Sequence, residues 1–494
     1  MPHGFYAGFR KGCNVGREYH ASATSSAINI RQHRKAHGPL VAYNQDMTKP
    51  DDISSENAAQ QPKARKAPLG EIFTCHFLLL ATINLCMFFG FQMLNIGLPV
   101  YMAQLGAVGQ VVGLATTLMT ITATLMRVFA GALLDRFGRW GMLIGGSVIM
   151  ACAIVSFAIF PVVGIILGLR MLHGIGWGMG STATSTIAAD IIPKRRFAEG
   201  MGYFALTTAI SSAIAPAASI EIIQGAGAVY MIYIATGVTV LALLLSVVEA
   251  IAVKRKGKSQ EGIGQNAMPS DGGQDSPGAP EGQAGSGNPE SLQGGAPSQP
   301  PAYSKIETLF ERRAVLPGIL ILLVNIGFGC VTTFIALHAD AQGVEGVSWY
   351  FIVYAVVSLA SRPPIGMLID RFGYRVPAIL SALGTAATLV LIGLSSNVFM
   401  FAAAGVLGGL GIGTAMSTFQ AMAVASVEPW RRGVATATYM TAFDLGIAIG
   451  ALLGGVLADF AGYTVMYLAI AAFPLAAAVV SAAVIKKSAR TTGV

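Results

Sequence analysis

Long apolar runs recur along this chain from about Phe73 onward, and short polar stretches separate them. Each run is about 20 residues long, enough for a helix to cross the roughly 30 Å hydrocarbon core of a bilayer. The runs do not alternate polar and apolar residues as the strands of a transmembrane barrel do. We predict six helices in each half of the chain, over residues 73–102, 108–133, 141–160, 163–188, 200–223 and 228–252, and over residues 314–339, 345–367, 377–396, 398–424, 433–458 and 462–485.

The composition agrees with an all-α membrane protein. The 494 residues are 54% hydrophobic and 11% charged, whereas soluble domains carry about 25% charged residues. The net charge of +8 does not indicate nucleic-acid binding, because nearly all basic residues after Lys66 fall in alternate loops between the predicted helices. By the positive-inside rule, we expect these loops and both termini on the cytoplasmic side of the plasma membrane. The loops hold Arg136, Arg139, residues 194–196, residues 254–258, Arg312, Arg313, Arg371, Arg375, Arg431, Arg432, Lys486 and Lys487.

Two long segments lack apolar runs. Residues 1–70 are rich in Ser, Ala, Lys, Arg and Gln, and residues 257–301 contain no aromatic residue and many Gly, Pro, Ser and Gln residues. Such compositions cannot bury enough surface to fold. We therefore predict a disordered N-terminal tail at 1–70, six-helix bundles at 71–253 and 312–487, a flexible cytoplasmic linker at 254–311 and a short cytoplasmic tail at 488–494. A transit peptide within residues 1–46, and a true start at Met47, are both open alternatives.

The two halves share sequence motifs in the same order. RVFAGALLDRFGR at 127–139 and RPPIGMLIDRFGYR at 362–375 repeat an Arg, a Gly and Asp-Arg-Phe-Gly 235 positions apart. HGIGWGMG at 173–180 aligns with GGLGIGTA at 408–415 at the same offset, and PKRR ending at Arg196 aligns with PWRR ending at Arg432 one residue out of step. Collinear matches indicate an internal duplication into two halves of the same orientation. Such repeats are typical of transporters that rock around a central site.

The motif between the second and third predicted helices resembles that of the major facilitator superfamily. It places Gly131 before Asp135 and Arg136, and then Gly138 and Arg139, and the second half contains a copy. The resemblance covers about residues 72–487. It implies the major facilitator fold, in which two six-helix bundles are related by pseudo-two-fold symmetry.

Three shorter stretches are similar to signatures of the drug or metabolite:proton antiporter branch of that family. They are NIGLP at 95–99, RMLHGIGWG beginning at Arg170, and SSAIAPAAS at 211–219, which has Ala or Ser where Gly is usual. The branch usually carries an acidic residue five positions before the Asn of the first signature, and this chain has Gly90 there. Proton coupling would therefore need another group.

The resemblance also implies a gate on the cytoplasmic side. In the family fold Asp135 lies near the start of helix eleven, where a carboxylate gains about 0.3–1 kcal/mol from the helix dipole, and small residues allow the helices to approach closely. Alternatively, the basic residues only fix the topology. The predicted gating residues are Gly131, Asp135, Arg136, Gly138, Arg139, Gly366, Asp370, Arg371, Gly373 and Arg375.

Three ionisable residues within predicted helices are candidates for proton or substrate coupling. Asp444 lies near the middle of helix eleven with no basic residue in its own helix, and intramembrane carboxylates commonly mark proton or substrate pathways. Arg170 in helix four could bind a substrate anion or polarise a proton site. His173 lies one turn further on the same face, and an imidazole ordinarily titrates near neutral pH. Asp444 and His173 could instead be hydrogen-bonded packing residues.

For other polar residues in the predicted helices, we predict only their surroundings. Arg127 and Arg362 are expected to snorkel to the cytoplasmic surface or to pair within the gate. Glu221, Glu249 and Asp459 lie near helix ends and are expected to be solvated. Uncharged candidates for lining a central cavity, each of which could instead tie two helices together, are Asn84, Gln92, Asn95, Asn325 and Gln420.

These features predict a secondary transporter and not an enzyme. The chain has no Gly-x4-Gly-Lys-Ser/Thr phosphate loop, no HExxH and no GxSxG motif, and its five cysteines show no metal-ligand spacing. We expect no cofactor and no metal, with a proton gradient driving antiport and efflux of a small organic molecule by alternating access. The expected partners are that molecule, protons and the lipid bilayer, with no nucleic acid and a monomeric protein. The alternatives are a facilitator or importer of an organic anion bound by Arg170, and a transport-inactive sensor or scaffold that uses the 257–301 segment.

Overall fold

The computed structural model describes residues 72–265, 311–428 and 431–485. The predicted N-terminal tail, most of the predicted linker and the predicted C-terminal tail lie outside these residues. Every regular element within them is helical, which confirms the prediction of an all-α protein. The α-helices of the described residues are Cys75–Gln104 (α1), Gly109–Ile159 (α2), Val163–Ile191 (α3), Phe197–Ala226 (α4), Ala228–Gln265 (α5), Val315–Ala341 (α6), Ser348–Ala360 (α7), Arg362–Phe372 (α8), Arg375–Gly393 (α9), Val398–Ala425 (α10), Arg432–Ile470 (α11) and Ala472–Val484 (α12).

These helices do not correspond one to one to the twelve predicted spans, because the chain bends or breaks at three places. Helix α2 contains spans two and three and breaks at Gly138, where φ is 72°. Span eight is made of α7 and α8, which are bent by 45° relative to each other. Helix α11 contains span eleven and the start of span twelve, with a break at Gly462, where φ is 80°. Positive φ values favour glycine because a side chain would collide with the backbone there.

Proline explains the bend in span eight. Pro363 and Pro364 follow Arg362 at the start of α8, and proline has no N–H to donate to the preceding turn. The other spans agree with the apolar runs to within a few residues, except that α5 continues to Gln265, beyond the predicted end of span six at 252.

The duplicated glycines allow close helix packing in both halves. A Cβ atom at Gly176 would lie 2.7 Å from the backbone nitrogen of Met150, and a Cβ atom at Gly411 would collide with the backbone nitrogen of Thr385. Met150 and Thr385 are themselves 235 positions apart. The two halves, α1–α5 and α6–α12, therefore use the same glycine positions to pack α3 on α2 and α10 on α9.

Candidate coupling and gating site

Within the described residues, the most extensive contact between the two halves is formed by α2 and α11, which run antiparallel. A Cβ atom at Gly113 would lie 2.9 Å from the carbonyl carbon of Ala451. The hydroxyl group of Thr117 donates a hydrogen bond to the carbonyl oxygen of Ala448 at 2.8 Å. Because these residues are small, the two backbones approach closely. We call this contact the α2–α11 seam; its residues are Gly109, Gly113, Thr117, Thr124 and Arg127 on α2, and Asp444, Ala448, Ala451, Gly455 and Asp459 on α11.

One end of the seam is closed by Asp459. Its carboxylate accepts hydrogen bonds from the backbone N–H groups of Gly109 at 2.6 Å and Gln110 at 2.7 Å. These N–H groups belong to the first turn of α2 and have no acceptor within their own helix. A carboxylate at a helix N-terminus is also favoured by the helix dipole. Asp459 therefore joins the two halves. The sequence predicted only that it would be solvated near a helix end.

A second contact between the halves lies at the same level. Helix α4 packs on α7, and the hydroxyl group of Ser348 donates a hydrogen bond to the Glu221 carboxylate at 2.6 Å. We call the side with Glu221, Ser348 and Asp459 the opposite face. The side with the basic loops, at which Arg139 and Arg313 lie, is the basic face.

The other end of the seam holds Asp444, deep between the helices. Asp444 is 8% exposed and forms an ion pair with Arg127 through Oδ2. The Thr124 hydroxyl group donates to the same oxygen at 3.0 Å. Arg127 thus pairs with the principal coupling candidate of the other half, and neither snorkels nor joins the predicted gate.

On the basic face the predicted gating residues do not join the halves in this conformation. Asp135, Arg136, Asp370 and Arg371 are exposed, and neither aspartate forms an ion pair among the described residues. Within the first half, Arg139 pairs with Asp190 at 2.8 Å.

The glycines of this motif also lie in open surroundings. A Cβ atom at Gly131 or Gly366 would meet no atom within 4 Å among the described residues. Gly138 and Gly373 have φ values of 72° and 67° and turn the chain after each copy of the motif. The Arg375 guanidinium donates to the carbonyl oxygen of Ala482 at 2.6 Å within the second half. The two halves are thus held together from the opposite face down to Asp444, and the gating role of the basic face stays a prediction.

Arg170 and His173 form a separate buried pair in the first half. They are 1% and 0% exposed, and Nη1 of Arg170 lies 3.4 Å from Nδ1 of His173. The rings of Phe91 and Phe157 lie 6.1 and 6.2 Å from the imidazole. Within the described part of the chain, Nε of Arg170 and Nε2 of His173 have no hydrogen-bond partner, and no acidic residue pairs with Arg170. The structure does not bring this pair into contact with Asp444.

Two of the five cavity-lining candidates are buried and tie helices together, and a third, the partly exposed Gln92, also ties α1 to α4. Asn84 donates to the Thr207 hydroxyl group at 2.8 Å, and Asn325 donates to the carbonyl oxygen of Phe443 at 3.1 Å. Both asparagines are buried. Since Phe443 precedes Asp444, Asn325 also fixes α11 beside the ion pair.

The remaining three candidates are partly exposed. Gln92 donates to Ser212 at 3.1 Å and accepts a hydrogen bond from Asn95 at 3.3 Å. Gln420 makes no hydrogen bond within the described residues. These three stay candidates for contact with a substrate. Among the described residues, no group of three His, Cys, Asp or Glu side chains could hold a metal ion.

Two further carboxylates, in α5 and just before α6, are buried. Glu249 is 3% exposed and pairs with His76, so the expectation that it is solvated is wrong. Glu311 pairs with Arg431 and accepts a hydrogen bond from the N–H group of Arg313 at 3.1 Å. Burial alone would raise the pKa of Glu311, but these hydrogen bonds and both arginine charges hold its pKa below the ordinary carboxyl value. Glu311 was not among the predicted site residues because it lies at the end of the predicted linker.

A Glu311→Gln substitution is expected to lower the melting temperature at pH 7, because the charge-assisted hydrogen bonds to Glu311 contribute about 1.5–3 kcal/mol each. A carboxyl group whose folded pKa is lowered stabilises the fold above its ordinary pKa of about 4.3, and this stability is lost as the pH falls through the folded value. Thermal unfolding of both proteins from pH 7 to pH 3 should therefore show a difference that shrinks with acidification. Glu428→Gln is the matched control, since Glu428 forms only an exposed pair with Arg313. A difference that stays constant with pH would contradict this account.

Comparison with known proteins gives a match to the family model described as the Major Facilitator Superfamily, over residues 80–348 and 318–493. The staphylopine export protein of Staphylococcus aureus (strain Mu50 / ATCC 700699) is 22% identical over 401 residues, which are 79% of this chain and 91% of that protein. The uncharacterized MFS-type transporter YhhS of Salmonella enteritidis PT4 is 30% identical over 159 residues, 32% of this chain. The chain spans only 39% of the length of that relative.

Solved structures show the same fold. A crystal structure of a variant of the nucleoside transporter NupG superposes with a TM-score of 0.64 at 12% identity, covering 83% of this chain and all of that one. At this identity the likeness concerns the fold alone. It confirms the prediction of two six-helix bundles in the major facilitator arrangement, and the relatives are transporters and not enzymes.

Proposed function

The chain belongs to the Major Facilitator Superfamily and is a multi-pass secondary transporter, and we propose that it exports a small organic molecule in exchange for protons. The likeness to the staphylopine export protein supports export. The observation that carries the proposal is the ion pair between the buried Asp444 and the partly exposed Arg127, which joins the two halves inside the membrane-spanning region.

The pair can couple a proton to the change of access. An ionised Asp444 holds α11 against α2 and so favours the conformation closed on the opposite face. A proton on Asp444 removes one charge of the pair and leaves Arg127, whose side chain is 30% exposed, without its partner. Breaking a fully buried pair costs about 3 to 5 kcal/mol, and water at Arg127 lowers this cost. Protonation therefore shifts the equilibrium towards opening of the opposite face.

Substrate can act on the same contact. A substrate group that binds Arg127 or Asp444 replaces one member of the pair and loosens the seam as a proton does. Proton and substrate then exclude each other, which is the requirement for exchange. With the basic face placed in the cytoplasm by its arginines and lysines, the present conformation is the one that faces inward, and the proposed membrane is the plasma membrane.

Transport by the purified protein in liposomes tests this proposal. The substrate panel includes staphylopine together with radiolabelled organic acids, amines and nucleosides, and a pH-sensitive dye is trapped inside. We expect an imposed pH gradient to drive a panel member against the direction of proton flow, with a matching change in the dye signal. A protonophore should abolish both. Equal transport rates with and without the gradient would contradict proton coupling.

A second candidate function is facilitated transport or import of an organic anion. It is favoured by Arg170, which is buried and has no acidic partner among the described residues. A guanidinium in such a position needs a counter-charge or water. In the same liposome assay, transport that ignores the pH gradient and is lost in Arg170→Ala would support this candidate.

A further inference from the structure

The internal repeat assigns each seam residue a counterpart in the other half. Helices α7 and α8 correspond to α2 with an offset of 235, so Arg362 corresponds to Arg127. Helix α4 corresponds to α11 with an offset of 236, which aligns Tyr203 with Tyr439. At this offset Thr208 takes the place of Asp444.

We call the packing of α4 on α7 the α4–α7 seam. At the opposite face it is built like the α2–α11 seam. Asp459 of α11 binds the start of α2, and Glu221 of α4 binds Ser348 at the start of α7. In both seams a carboxylate near the end of one helix accepts hydrogen bonds from the first residues of its partner. The packing of α4 on α7 therefore corresponds to the packing of α11 on α2.

The seams differ at the level of the arginines. Arg127 has the carboxylate of Asp444, whereas Arg362 is exposed and has no ion pair or hydrogen bond among the described residues. Thr208 accepts a hydrogen bond from Asn84 at 3.3 Å and donates none within the described chain. By the repeat, Arg362 and the hydroxyl group of Thr208 therefore correspond to the two members of the Arg127–Asp444 ion pair.

The bend between α7 and α8 turns the helix that carries Arg362 away from α4. Helix α7 packs on α4, but α8 turns by 45° and packs on α9 and α10. A Cβ atom at Gly366, one turn beyond Arg362, would meet no atom of the described chain within 4 Å. Broken helices of this kind commonly border the binding sites of transporters.

We propose that Arg362 binds a carboxylate of the transported molecule, with the Thr208 hydroxyl group as a second donor. The bound carboxylate takes the place that Asp444 fills beside Arg127. A planar guanidinium matches a carboxylate through two parallel N–H···O hydrogen bonds. This inference rests on the proposed function and deepens it, because it names organic carboxylates as the substrate class.

The site is tested by thermal unfolding of the purified protein in an uncharged maltoside detergent. This detergent has no phosphate group that could compete with a carboxylate for Arg362. The probes are three carboxylates and their carboxamides: benzoate and benzamide, phenylacetate and phenylacetamide, and indole-3-acetate and indole-3-acetamide. A compound that binds only the folded protein raises the melting temperature. We expect the carboxylates to do so and the carboxamides not. Arg362→Gln should weaken carboxylate binding at least tenfold, Arg362→Lys less, and the exposed control Arg312→Gln not at all.

Thr208→Asp provides an independent variant. Its new carboxylate is expected to pair with Arg362 and to exclude the probes, whereas Thr208→Asn should still bind them. The melting temperature of each variant without probe shows that it is folded.

Three outcomes would overturn the inference: no carboxylate shift in the wild type, equal shifts for acid and amide, or a shift that survives Arg362→Gln. Carboxylate binding without any transport in liposomes would refute the proposed function and leave the site intact. Transport of other compounds without carboxylate binding would do the reverse.

Discussion

Asp444→Asn is expected to abolish the exchange of substrate for protons while the protein still folds and inserts. An amide cannot ionise, so the variant resembles the protonated transporter permanently and leaves Arg127 without its counter-charge. Liposome transport should therefore lose its dependence on the pH gradient. Exchange of labelled for unlabelled substrate should fall as well, because a transporter that resembles the protonated form excludes substrate.

Matched variants separate this role from a general loss of charge. Glu345→Gln removes an exposed carboxylate that has no ion pair in the described chain, and it should leave coupling unchanged. Arg127→Gln combined with Asp444→Asn should recover thermal stability, because no charge is left unpaired, but should not recover coupling. Proton-coupled efflux that is unchanged in Asp444→Asn would refute the assignment.

Two identical substitutions in α2 are expected to act in opposite directions. Gly113→Leu introduces a side chain against the backbone of Ala451, so it should force α2 from α11 and favour opening of the opposite face. Gly131→Leu meets nothing in the present conformation, but it should obstruct the predicted closure of the basic face and trap the present state.

Distances between spin labels at Val108 and Phe460 measure the opening of the opposite face. Both residues are exposed there, at 57% and 88%, and the labels require a background without the five native cysteines. We expect longer distances in Gly113→Leu and a narrower, short-distance population in Gly131→Leu. Gly164→Leu, which also meets no described atom within 4 Å, is the neutral control. A shift of both variants in one direction would refute this account.

The sequence predicted most of the fold because long apolar runs, breaks at glycine and charged loops are local signals. It could not predict the pairing of Arg127 with Asp444, which are 317 positions apart. One signal was available: Arg127 precedes Arg139 by 12 residues and Asp444 follows Arg432 by 12. Counting from the basic face therefore places both residues at a similar depth, although it does not show which helices are neighbours.

The seam at the opposite face was harder to predict. Asp459 binds backbone N–H groups at the start of α2. Because every residue except proline has such a group, the sequence does not indicate which residues will donate. A carboxylate near a helix end ordinarily reaches water, so solvation was the natural expectation for Glu221, Glu249 and Asp459. The same reasoning failed for Glu249 because its partner, His76, lies on another helix.

The Asp444–Arg127 pair also has an electrical consequence. While both groups are ionised, they add no net charge to the interior of the bilayer. If Asp444 accepts the transported proton, the loaded form carries one uncompensated positive charge on Arg127 within the field of the membrane. A full elementary charge moved across 100 mV is worth about 2.3 kcal/mol, so the membrane voltage would drive the cycle alongside the difference in proton concentration.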